Sequence, residues 1–212
     1  MLTSQPDLSL PGSVTRRTLT RGVAWATPVI VVGAAASAHA ASPGPPEPGL
    51  QGWVRVTKNC RNNNDDMDLT IDGHVDGTRY PVPPGYGLYV FNTSGTTVLT
   101  NAKITFYYPS SLGTISWAAG GNNGNWSVPS VDPSVPAISG YTAYSTTYSG
   151  SWTYHGPPEN PTYTIANTVP HFTATVTPGR RMCGDGGLSL YARRTVTVDG
   201  TEVAFVRGPV AL

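Results

Sequence analysis

The sequence predicts an all-β protein: a single two-sheet sandwich of about eight or nine mostly antiparallel strands behind an N-terminal export signal. Three observations carry this reading. Only 12% of the 212 residues are charged, with two Lys (Lys58, Lys103) and three Glu (Glu47, Glu159, Glu202), so the composition of a helical bundle is absent. The chain holds 24 Gly, 20 Pro and 27 Thr, a supply of turn residues and of a β-branched strand former. Short runs of alternating apolar and polar residues recur between those turns. At 39% hydrophobic residues the chain has enough apolar side chains for a core, which excludes wholesale disorder. A formal net charge of +1 with no basic face excludes nucleic-acid binding by charge.

Residues 1–40 are expected to be an address rather than structure. Arg16 and Arg17 precede the apolar stretch Gly22–Ala36, and Ala38-His39-Ala40 supplies a small–x–small cleavage pattern, placing the cut between Ala40 and Ala41. The apolar stretch is too short and too interrupted, by Gly and Pro28, for a spanning helix, which needs about 20 residues. This segment resembles twin-arginine export signals and is similar to the signals of exported actinobacterial proteins. A conventional secretory signal is the alternative. Cleavage would remove Arg16, Arg17, Arg21 and Asp7, leaving ten Lys/Arg against eleven Asp/Glu, an electrically bland mature chain with no membrane span.

Residues 41–50 read as a linker, since Pro43, Pro45, Pro46 and Pro48 favour an extended chain and forbid a ladder. The domain is then 51–212. Its expected strands, in order, are Trp53–Cys60, Met67–Asp72 with its apolar odd positions, and the continuously apolar, hence central, Gly87–Phe91. Val98–Tyr108, Tyr141–Tyr148 and Ser151–His155 follow, then an alternating run through Phe172, Ala174 and Val176. Leu188–Val198 and Glu202–Val206 flank Asp199-Gly200, which signals a type I′ hairpin. Long polar loops, Gly113–Pro136 and Gly156–Pro161, lie between strands. Cys60 and Cys183, two cysteines in an exported chain, are expected to form one disulfide.

The segment Val90–Pro109 reads VFNTSGTTVLTNAKITFYYP. It resembles the Ig-like repeats of bacterial surface proteins in the domain-of-unknown-function class 11, where a strand ends in an Asn-Thr-Gly-type turn and the next carries an Asn-hydrophobic-Thr pattern closing at Pro. The resemblance covers about 20 residues and implies an Ig-like extracellular scaffold. It brings no catalytic residues with it.

Two candidate sites emerge. Trp117 and Trp126 bracket a Gly/Asn-rich loop containing Asn122, Asn123 and Asn125, and aromatic faces beside amide groups suit a sugar or a protein partner. Asp65, Asp66 and Asp68, near Asp72, Asp76 and His74, offer the oxygen ligands that Ca²⁺ prefers, although the spacing is not that of an EF-hand. The competing readings are core packing for the indoles and a solvated strand face for the carboxylates. No nucleophile elbow, zinc-protease, P-loop or dinucleotide motif occurs. The functional expectation is a secreted or cell-surface, non-enzymatic domain binding an unknown protein or glycan without a cofactor. The alternatives are a carbohydrate-binding module, with or without the help of Ca²⁺, and a small secreted hydrolase.

Overall fold

The computed structural model describes residues 46–61, 66–73, 87–121, 123–177, 182 and 187–212, with the backbone alone at Trp53. Among them are thirteen strands and no α-helix: β1 (Gly49–Trp53), β2 (Arg55–Arg61), β3 (Asp66–Asp72), β4 (Gly87–Phe91), β5 (Leu99–Pro109), β6 (Ala118–Ala119), β7 (Ser130–Val131), β8 (Tyr141–Thr147), β9 (Trp152–His155), β10 (Tyr163–Ala166), β11 (His171–Val176), β12 (Ser189–Val198) and β13 (Thr201–Ala211). They form three antiparallel sheets, in the orders β1-β4-β10-β9, β2-β3-β11-β6 and β13-β12-β5-β8-β7. The all-β, sandwich-like expectation therefore holds. The count of eight or nine strands in two sheets is corrected to thirteen in three hydrogen-bonded sheets.

The corrections have local causes. The expected strand Trp53–Cys60 is two strands, because at Val54 the chain leaves the first sheet and enters the second. Leu50 is already buried in β1, so the fold begins at Gly49, inside the expected linker. Here Asn92 Nδ2 donates to Glu47 O at 2.7 Å. β10, unforeseen, fills the place between β4 and β9. β13 runs on to Ala211, past a register shift at Leu190/Ala192 that Gly208 accommodates with φ +126°.

Other expectations are met residue by residue. Asp199 and Gly200 both have positive φ, 47° and 85°, as a type I′ turn requires, and Asp199 Oδ1 accepts from Val98 N at 2.8 Å. β4 is central in its sheet. On β3 the odd positions Met67, Leu69 and Ile71 are fully buried, and on β11 so is Phe172. They join Leu88, Val90, Ile104, Phe106, Tyr108, Tyr144, Leu190 and Val196 in one core to which all three sheets contribute.

Cys60 is disulfide-bonded. Its expected partner Cys183 lies outside the described residues, as do Arg16, Arg17, Ala40, Ala41, Asp65 and Asn122. No helix among the described residues is long and apolar enough to cross a membrane.

Candidate functional site

The Gly/Asn/Trp loop folds inward. Trp117 is 9% exposed and Trp126 3%. The Trp117 ring lies 5.5 Å from Tyr108 and 6.5 Å from Tyr144, and Trp126 stacks obliquely on Tyr148 at 4.9 Å. Trp126 Nε1 donates to Thr168 O at 2.9 Å. Trp117 Nε1 is buried without a hydrogen-bond partner among the described residues. Of the two readings of the indoles, core packing is the one these burials match. The Asn123 amide and the Asn125 backbone serve the turn. Asn123 Nδ2 donates to Trp126 O at 2.9 Å, and the Asn125 backbone accepts from Ser149 N at 3.0 Å and donates to Thr168 Oγ1 at 3.2 Å. Gly124, at φ +54°, is required here, since a Cβ would sit 2.3 Å from Thr168 Cβ.

The far end of the loop is clamped electrostatically. Asp132 Oδ2 meets Lys103 Nζ at 3.0 Å, and Asp132 Oδ1 accepts from Ser134 N at 3.0 Å and from the Ser134 hydroxyl. Tyr107 OH donates to Pro136 O at 3.0 Å, so the loop covers the outer side of β5. The Ser134 hydroxyl, then Ser145 and Lys103, hold the Asp132 carboxyl well below its usual range despite an opposing effect of burial. A depressed carboxylate contributes stability above its unfolded pKa of about 4 and loses it as pH falls toward the folded value. Asp132→Asn should therefore lower stability at pH 6 and flatten its decline between pH 4 and 2, read by urea unfolding. An unchanged acid limb would contradict the clamp.

The acidic cluster belongs to a polar sheet face. Arg61 grips Asp68 in two bonds, Nε to Oδ2 at 2.7 Å and Nη2 to Oδ1 at 2.8 Å, and Thr175 Oγ1 donates to Oδ1 at 2.8 Å. Asp66 Oδ1 accepts from Thr177 Oγ1 at 3.1 Å. Among the described residues no group of three His, Cys, Asp or Glu side chains could hold a metal ion. Alternation on β2, β3 and β11 builds this face in ranks: Thr57, Thr70 and Thr173 stand opposite one another, as do Asn59, Asp68 and Thr175, and Arg55, Asp72 and His171. Beside β6, Asp68, Thr70, Ser116, Ala118, Thr173 and Thr175 line a groove of about 420 Å³. A row of hydroxyls and a carboxylate in a groove can donate to and accept from a polar partner.

A different site went unforeseen. The inward row of β12 is Leu190, Ala192, Arg194, Val196 and Val198, all buried. Arg194 is thus a guanidinium at a core position, 3% exposed. Its Nε and Nη1 have no hydrogen-bond partner among the described residues. Its Cζ lies 5.9 Å from the centre of the Phe205 ring. Gly52 makes room for it, as a Cβ there would sit 3.2 Å from Arg194 Nε and 2.4 Å from Gly87 O. Burial, with Arg207 nearby, pulls the guanidinium down to about 10, with Tyr89 opposing, so it stays charged at neutral pH. The signal was in the sequence: Arg194 shares parity with four apolar residues of an alternating run.

No protein-family model, curated protein or solved structure matches the chain.

Proposed function

We propose that the protein is exported and works as a non-enzymatic Ig-like interaction domain at the cell surface or envelope, contacting its partner through the outward face of β2, β3 and β11. The observation that carries this reading is the ranked Thr, Asn, Asp and Arg side chains of that face beside the groove at Asp68, Thr70 and Thr173. Such a surface is hydrated in the free protein and satisfies a polar partner bond for bond. The arginine pair Arg16-Arg17, the cleavage pattern at Ala40 and the disulfide at Cys60 support export. We assign Cys183 as the partner of Cys60. An intact mass two hydrogens below that of the reduced chain, with a Cys60–Cys183 peptide on digestion, is the expected result; free thiols would contradict it.

The burial of the indoles favours a protein over a sugar reading. Among the described residues no aromatic side chain lines the groove, and the indoles that a sugar shelf would need are in the core. A protein partner is therefore the first reading and a glycan the second. The test is retention of the purified protein on isolated envelope, before and after protease treatment. Thr70→Arg with Thr173→Arg should reduce retention at least tenfold while leaving the melting temperature within a few degrees, as surface changes do. Retention that survives protease but not glycan digestion selects the sugar. Equal retention by the double variant contradicts the assigned face.

A further inference from the structure

At Val54 the chain crosses between sheets, and a pocket of about 130 Å³ lies against β5, β12 and β13. Its walls are mostly apolar, among them Val54, Val56, Phe106, Leu190 and Leu212, and its charged lining residues are Arg194 and Arg207. Among the described residues no Asp or Glu side chain lines it. A buried cation left unpaired is costly, and a guanidinium cannot shed its proton at neutral pH to escape that cost. Arg193 meets Glu202 at 3.4 Å, whereas Arg194, on the opposite side of the strand, meets no acid among the described residues.

We propose that this pocket is a binding site for a carboxylate carried on a short aliphatic group. The guanidinium of Arg194 supplies the charge-assisted hydrogen bonds, and Arg207 adds a second positive charge. The valine, leucine and phenylalanine walls take the tail. The walls argue against phosphate or sulfate, which carry no apolar part with which to fill them. The size argues for a small ligand, since a single water needs about 10–15 Å³ of such space and the pocket offers room for roughly ten. A monocarboxylate with a branched tail meets both conditions. This site is separate from the polar face of β2, β3 and β11, and its failure would leave that face untouched.

The test is a calorimetric or NMR titration of the protein with 4-methylpentanoate, acetate and the uncharged 4-methylpentanamide. Saturable binding of 4-methylpentanoate is expected, at least tenfold tighter than that of acetate, which lacks the tail, and of the amide, which lacks the charge. Arg194→Met should weaken the acid at least tenfold, and Arg207→Gln a few-fold. The acid–amide comparison needs no variant, so a variant that folds poorly does not blunt the test. A free acid and a peptide ending in an aliphatic residue present the same chemistry, and Gly-Gly-Leu separates them: tighter binding than 4-methylpentanoate assigns a chain end, weaker binding a free acid, and either supports the site. Equal binding of acid and amide, the same acid affinity in Arg194→Met, or no saturable binding would overturn it.

Discussion

Trp126→Ala is expected to destabilise the protein by about 3–5 kcal/mol, the range for truncating a buried large aromatic residue. The reasons are concrete. The indole is 3% exposed, stacks on Tyr148 at 4.9 Å and donates to Thr168 O at 2.9 Å. Tyr148 in turn packs edge-on against Trp152 at 5.4 Å, so the cavity would open beside the two remaining aromatic side chains. Trp126→Phe should keep most of the packing and lose chiefly the hydrogen bond, at about 0.5–1.5 kcal/mol. At roughly 2–4 °C per kcal/mol for a domain of this size, the alanine variant should melt at least 6 °C lower, and calorimetry reads it directly. An alanine variant as stable as the parent would mean that the indole is free for a ligand after all.

The second large effect has the opposite sign. Arg194→Met should stabilise the protein by about 1–4 kcal/mol in the absence of carboxylates, because it replaces an unpaired buried cation with an apolar chain of similar length. Nε and Nη1 are enclosed without acceptors, and the neighbours Leu190, Ala192 and Val196 on the same row are apolar. Urea unfolding in carboxylate-free buffer measures it. A loss of stability would mean that the Phe205 ring and the strand environment repay the burial of the charge. Arg194→Ala makes a poorer comparison, since it adds a cavity to the change of charge.

Fold class was legible in the sequence because it depends on period and turn chemistry. Met67, Leu69 and Ile71 announce their face, and Asp199-Gly200 announces its turn, through residues adjacent in the chain. The break at Val54 was hidden because alternation continues unchanged while the hydrogen-bond partner changes from β4 to β3. β10 was missed since Tyr163–Ala166 is four residues long between Pro161 and Pro170, and its place in the sheet comes from β4 and β9. Two-residue strands such as β6 and β7 exist only through their partners β11 and β8.

The candidate sites divide along the same line. Trp126 sits among Gly and Asn, which suggests exposure, yet those residues let the loop turn tightly enough to bury it. The Asp66 and Asp68 positions were readable as a strand face, but their partners Thr177, Thr175 and Arg61 come from β2 and the end of β11, beyond local reach. Arg194 could have been found by parity alone, although the pocket around it is assembled from β2, β5, β12 and β13.

The outward face of β2, β3 and β11 is tested most directly by methyl NMR of threonine-labelled protein titrated with solubilised envelope. The chain has 27 Thr, so the readout samples the whole molecule. Broadening or shifts confined to Thr57, Thr70, Thr173 and Thr175 are the expected result. Perturbation centred instead on Thr142, Thr146 and Thr147 beside the Trp-bearing loop, or none at all, would contradict it.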